Sequence, residues 1–255
     1  MKPNAPIPLL LALILPGCEN EFGSDEAAAL AGSAIDAPGQ PGTVAPPVAP
    51  PEEPAPIAEE MFVTAVDHTY FPLTPGTARV YEGVDEGLPR RDEVRVGAEP
   101  HVVSGIACTA VTQEVFLDGR LAELTTEWFA QDRDGNVWKF GEETLEFDGV
   151  RLAPTADSWE AGVDGARPWV ALAADPKVGD VYVGYRPGGQ DTLSVVSLTE
   201  TATVPAGVFE NCLQAVENAE DPDDADIILY APGTGLVSET SAGGRIDLVS
   251  IHSDE

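Results

Sequence analysis

Between residues 106 and 147 apolar and polar side chains alternate with a period of two, as in strands that bury one face and wet the other. These runs are rich in Val, Thr, Trp and Phe. They are broken by Asp118-Gly119, Asp134-Gly135 and Asp148-Gly149, pairs suited to hairpins because Gly takes positive φ at no steric cost. A two-residue turn at Asp118-Gly119 sets Leu117 opposite Arg120, Val115 opposite Ala122, Gln113 opposite Leu124 and Thr109 opposite Trp128. A second turn over Asp132-Arg133-Asp134-Gly135 sets Ala130 opposite Trp138 and Trp128 opposite Phe140. Leu124, Trp128, Ala130, Trp138 and Phe140 then share one face, the expected core. Glu114, Glu123, Thr125, Glu127 and Lys139 fall on the other, the expected wet face.

The same texture continues to the C-terminus. Residues 180–185, 192–201, 212–217, 227–230, 235–240 and 245–251 read as short strands at regular spacing. No stretch from residue 79 onward carries a helical period with caps. Residues 154–176 lack clean alternation but hold two tryptophans, so they read as an ordered excursion. The pattern predicts an all-β domain, an antiparallel meander closing into a barrel or a strongly curved sheet.

The start of the chain differs in kind. An apolar run over residues 7–15 is too short to span a bilayer, which needs roughly 20 residues, but suits a signal-peptide core. It ends in Leu15-Pro16-Gly17-Cys18, which reads as a lipoprotein cleavage box. Residues 1–17 would be removed and Cys18 lipidated; an ordinary secretory signal with an incidental Cys18 is the alternative. Glu19 after the cysteine points to the outer membrane in a Gram-negative host. Residues 18–60 are rich in Ala, Pro, Gly and acid, a composition that cannot bury enough apolar surface to offset the entropy of ordering. We read them as a disordered tether and residues 61–255 as the folded domain.

Charge narrows the partners. The 255 residues include 13 Lys and Arg against 44 Asp and Glu, a formal net charge of −31. Nucleic acid and anionic surfaces repel such a chain, whereas a cation, an uncharged ligand or plain solubility remain open. With Cys18 lipidated, Cys108 and Cys212 are left in an oxidising compartment. We expect a Cys108–Cys212 disulfide, which would close a loop worth about 4.7 kcal/mol in the chain-entropy model. Two separate buried thiols are the alternative.

Motifs for a nucleophile elbow, a zincin, a CxxC centre or a P-loop are absent. His68, His101 and His252 are scattered, and a metal site would need the fold to gather them. Glu114 and Glu123 face each other in the register above, which would suit glycoside hydrolysis or a cation. In the acid run ENAEDPDDAD, Asp221, Asp223, Asp224 and Asp226 offer hard oxygen ligands for calcium; a solvated connection is the plainer reading. Trp159, Trp169, Tyr182 and Tyr185 could line a pocket for a small apolar ligand, or simply fill the interior.

The segments YFPLTPGT, WFAQDRDGNVWKFGEET, SWEAGVDGARPWV, ADPKVGDVYVGY, TVPAGVFENCL and YAPGTGLVSE resemble a group of bacterial exported proteins of unknown function. The resemblance covers most of residues 68–240. It implies one secreted or lipid-anchored all-β domain and carries over no reaction or catalytic residue. Together these readings predict a non-enzymatic, lipid-anchored binding or envelope-associated module without a cofactor. The alternatives are a glycan-directed hydrolase using an acidic pair and a calcium-dependent adhesion or scaffold domain.

Overall fold

The computed structural model describes residues 57–186, 189–219 and 225–253. The signal segment, Cys18 and nearly all of the expected tether lie outside them. Chain entry into the domain is a 3-10 turn, Glu59–Met61. Three short strands follow: β1 (Phe62–Val63), β2 (Val66–His68) and β3 (Phe71–Leu73). The first long strands are β4 (Thr77–Asp85), β5 (Leu88–Val96), β6 (His101–Val103), β7 (Ile106–Leu117), β8 (Arg120–Asp132) and β9 (Val137–Phe147). The excursion supplies β10 (Leu152–Pro154), β11 (Trp159–Glu160) and β12 (Trp169–Leu172). The chain finishes with β13 (Val181–Arg186), β14 (Gly189–Val204), β15 (Gly207–Glu217), β16 (Asp226–Ala231), β17 (Gly235–Thr240) and β18 (Gly244–Ser253).

Every pairing is antiparallel, and the main ladder runs β10-β9-β8-β7-β5-β4-β18-β17-β16-β15-β14-β13. Two meanders are joined where the last strand, β18, pairs with β4. The expected meander is there; the expected barrel is not. The free edge of β9 is occupied by β10, β11 and β12, so no hydrogen-bonded ladder joins β9 to β13. Among the described residues an open seam remains, crossed by the Arg186–Asp157 ion pair and by Trp169 against Gly184.

The Asp118-Gly119 turn forms as read, with φ of 47° and 72° and Leu117 opposite Arg120. Between Val115 and Phe116 a bulge then slips the register by one. Glu123 faces Val115, Thr125 faces Gln113, and Trp128 faces Ala110 in place of Thr109. A second bulge, at Phe140, sets Trp128 opposite Gly141. A Cβ on Gly141 would lie 2.5 Å from the carbonyl oxygen of Trp159, so only glycine lets β11 approach β9 here.

The face assignment is corrected as well. Glu123, Thr125, Glu127 and Lys139 are buried, while Leu124, Trp128 and Trp138 are half-buried on the opposite side. Those aromatic residues find cover locally: Phe62 packs edge-on against Trp138 and Phe140, and His101 stacks on Trp128 with centroids 4.8 Å apart. Covered on its outer face, the sheet can afford a polar inner one.

The apolar part of the interior gathers Val94, Val96, Val111, Phe129, Leu213, Tyr230 and Leu248. Over it lies the separate β2–β3 hairpin, which contributes Val66, Phe71 and Leu73. Phe71 packs between Phe129 and Tyr230, with centroids at 5.1 and 6.3 Å. The strap is tied down by two bonds between Asp67 and Gln131, by His68 Nε2 to the Ala173 carbonyl at 2.9 Å, and by Arg79 donating to the Pro72 carbonyl.

Cys108 and Cys212 are both free and buried, so the expected disulfide gives way to two separate thiols. Five strands lie between β7 and β15 in the ladder, which separates the cysteines. Burial pushes the Cys108 thiol up to about 12 and raises that of Cys212, leaving both unreactive at neutral pH.

Candidate functional site

Inward positions at one end of the sheet carry charge on strand after strand. Asp85, Asp92, Glu123, Glu127, Glu142, Asp191, Glu217 and Glu239 are buried carboxyls, and Arg90, Lys139 and Arg186 are the buried bases among them. Alternation places them: Arg90 and Asp92 are two apart on β5, Glu123 and Glu127 four apart on β8. Acids exceed bases by five (8 − 3) in this group.

Three clusters satisfy part of that charge. Arg90 forms a bidentate pair with Asp92, Nε at 2.9 Å and Nη2 at 2.7 Å, and Gln113 donates to the same carboxylate at 2.8 Å. Lys139 Nζ lies 2.8 Å from Glu127 and 2.7 Å from Glu142. Arg186 holds Asp191 at 3.2 Å and reaches Asp157, on the far side of the seam, at 3.4 Å. Such geometry offsets the cost of taking these ions out of water.

Compensation is incomplete even so. Glu123 Oε2, Glu142 Oε1 and Glu239 Oε2 are buried without a hydrogen-bond partner. Burial, opposed by Arg90, pushes the Glu123 carboxyl up to about 8. Burial likewise lifts Asp191 to about 7 against the pull of Arg186. Glu217 is raised further by burial and by repulsion from Glu239 and Asp226, with Lys139 opposing. Glu239 is raised by burial against the pull of Arg90. The cluster therefore stores protons at neutral pH.

Two cavities adjoin it. One, of about 40 Å³, is lined by Phe71, Arg79, Tyr81, Gln113, Glu127 and Tyr230 among others. The second, of about 30 Å³, lies behind the seam against Phe71, Lys139, Trp169, Tyr182, Glu217 and Tyr230. Each has room for a few waters, far below the roughly 300 Å³ of a drug-sized pocket. Trp169 closes the second: its indole lies on Gly184 of β13, where a Cβ would come within 2.2 Å of the ring, and stacks on Trp159 at 4.4 Å. Gly184→Ala should therefore unseat Trp169. The expected result is a loss of about 1 to 3 kcal/mol, as for overpacking, with a changed near-UV dichroism of the Trp159–Trp169 pair. Unchanged spectra and stability would show that the seam is already loose.

Of the residues singled out in the sequence, Trp169 and Tyr182 line the second cavity. Trp159 is buried behind Trp169, and Tyr185 points to solvent, 66 % exposed. Glu114 and Glu123 do not face each other: the bulge puts Glu114 opposite Leu124, half-buried on the outer side, and Glu123 inside. The three histidines stay apart, His68 on the strap, His101 on Trp128 and His252 beside Ser250. Among the described residues no group of three or more His, Cys, Asp or Glu could hold a metal. Asp221, Asp223 and Asp224 lie outside the described residues; Asp226 opens β16 opposite Glu217. Sequence reasoning missed Lys139, Glu142, Glu217 and Glu239. One signal was present for the first: Lys139 is one of three lysines in the chain and stands between Trp138 and Phe140.

No protein-family model matches the chain, and no curated protein matches it in sequence. Two solved structures are similar. A Bacteroides fragilis protein assigned as exported, with a YmcC-like fold, is 15% identical with a TM-score of 0.40, covering 73% of this chain and 100% of its own. A Parabacteroides distasonis protein assigned as a lipoprotein is 14% identical with a TM-score of 0.33, covering 72% and 99%.

Proposed function

We propose that this protein is a lipid-anchored, non-enzymatic binding module of the cell envelope that takes a small ligand into the polar interior of its sheet. The observation that carries the reading is a cavity at an unladdered seam whose lining holds a buried carboxyl, Glu217, in an interior where carboxylate oxygens of Glu123, Glu142 and Glu239 lack hydrogen-bond partners. Leaving such groups unmade costs about 1 to 3 kcal/mol each or more, and folds retain that cost where a site uses it. A binding role is favoured over glycan hydrolysis because Glu114 and Glu123 sit on opposite faces of the sheet. The lipoprotein box at Cys18 and the Pro-rich segment after it support an anchored, outward-standing domain.

Both halves of the reading are testable on the full chain. Cys18→Ser should move the protein from the membrane fraction to the soluble exported fraction with its melting temperature unchanged. Wild-type protein that is already soluble would refute the anchor. For binding, melting is followed against small cationic, neutral and anionic compounds at fixed ionic strength. A ligand at a hundred times its Kd stabilises by about 2.7 kcal/mol. If no class raises the melting temperature, the binding role is refuted.

A further inference from the structure

The cavity behind the seam has a definite chemical character. Phe71, Trp169, Tyr182 and Tyr230 supply aromatic walls, and Glu217 and Lys139 are its charged lining. Lys139 is already engaged by Glu127 and Glu142. Glu217, 3 % exposed, has acids around it: Asp191 on β14 and Asp226 on β16 alongside, and Glu239 on β17 one strand further. Tyr230 also faces it, and Lys139 is the cation acting on it. Glu239, 2 % exposed, keeps Oε2 without any hydrogen-bond partner inside this acidic cluster.

We propose that this cavity is a binding site for a small organic ammonium ion, a primary or N-methylated amine, seated against Glu217 and enclosed by Phe71, Trp169, Tyr182 and Tyr230. The inference rests on the binding-module reading and names its ligand class. Sign comes first: Lys139 is already held by the carboxylates of Glu127 and Glu142, so an ionised Glu217 among its acidic neighbours gains from one added positive charge and repels an anion. Aromatic faces attract cations through their quadrupole, the more so when the contact is desolvated. A bare metal ion is a poorer fit, since the lining offers one carboxyl and no set of three ligands. Size sets the limit: about 30 Å³ suits a one- or two-carbon amine, and anything larger requires Trp169 to leave Gly184.

Proton balance follows from the site. A protonated Glu217 that receives an ammonium gives its proton to solvent, so carboxylic acid plus ammonium becomes the carboxylate–ammonium pair plus one released proton. Lys139, Asp191, Asp226, Glu239 and Tyr230 adjust around that exchange. Affinity should rise with pH, by up to about tenfold per unit while Glu217 is protonated in the free protein.

The test is isothermal titration calorimetry of the full chain with methylammonium chloride at fixed ionic strength, in two buffers of different ionisation enthalpy, at pH 6 and 7.5. Methanol serves as the neutral isostere, and the wild-type comparison needs no variant to fold. Expected are methylammonium binding that strengthens several-fold between the two pH values, release of close to one proton, and no comparable heat from methanol. Glu217→Gln should weaken methylammonium at least tenfold. Equal binding of methanol without proton release overturns the ammonium assignment and leaves the binding module standing. Methylammonium binding unchanged by Glu217→Gln places it on surface carboxylates and also overturns the assignment. Stabilisation by neutral or anionic compounds alone does the same. If nothing binds, the module reading falls with it.

Discussion

Lys139→Met is expected to destabilise the domain by about 3 to 5 kcal/mol at pH 8, the range for removing one partner of a buried ion pair. Lys139 lies between Glu127 and Glu142 with only 1 % of its surface exposed, and among the described residues no other base is within salt-bridge distance of those two carboxyls. Methionine keeps the length of the side chain, so the loss reports charge and not volume. Two controls separate these terms. At pH 5 Glu127, whose carboxyl burial lifts to about 7 even against the pull of Lys139, takes up a proton and the loss should shrink. Combining Lys139→Met with Glu127→Gln and Glu142→Gln should restore most of the stability, because no buried ion is then left alone. Urea unfolding at the two pH values measures all three. A loss under about 1 kcal/mol at pH 8 would mean that water reaches the cluster.

The second large effect is on pH dependence. Unfolded carboxyls release their protons near pH 4, whereas folded Glu123 holds its proton to about 8 and Asp191 to about 7. Glu217 and Glu239 are also raised by burial. Over that window the native state binds more protons than the unfolded one, so stability falls as pH rises. The contribution of Glu123 and Asp191 is fully present below about pH 4 and is lost progressively to about pH 8. Glu123 alone accounts for on the order of 5 kcal/mol between those limits. Asp132 acts in the opposite direction: although burial opposes it, hydrogen bonds from Asn136, Trp138 and Asp134 hold it low, so its contribution disappears only in stronger acid. Urea midpoints should therefore be higher at pH 5 than at pH 8. Glu123→Gln should flatten the difference. A midpoint that rises steadily from pH 5 to pH 8 would contradict the buried, protonated cluster.

Strands, turns and their order were legible in the sequence because alternation and Asp-Gly turns are local signals. All six strand candidates after residue 179 coincide with β13–β18 within a few residues. What was not legible depends on contacts made from afar. The bulge after Val115 joins two ordinary apolar residues and leaves no mark in composition. The face of β8 was misassigned because Trp128 and Trp138 look like core, yet His101 and Phe62, remote in sequence, cover them from outside. Once that outer face is covered, hydrophobicity no longer identifies the inner one. The barrel failed for a related reason, since an irregular excursion took the edge that closure needed. The candidate site was hidden because glutamates in an acidic chain read as solubility, and only Lys139 stood out against that background.

The β2–β3 strap also has a mechanical consequence. Any pull arriving along the backbone from residue 57 meets β1 first, which is held to β8 through Phe62 opposite Asp132 and Val63 opposite Gln131. The next hold is the Asp67–Gln131 pair, at the same end of β8. Both can peel one contact at a time, whereas the long ladder behind them must break many bonds together. Tension would therefore draw out Phe71, which lines both cavities, before the sheet itself yields.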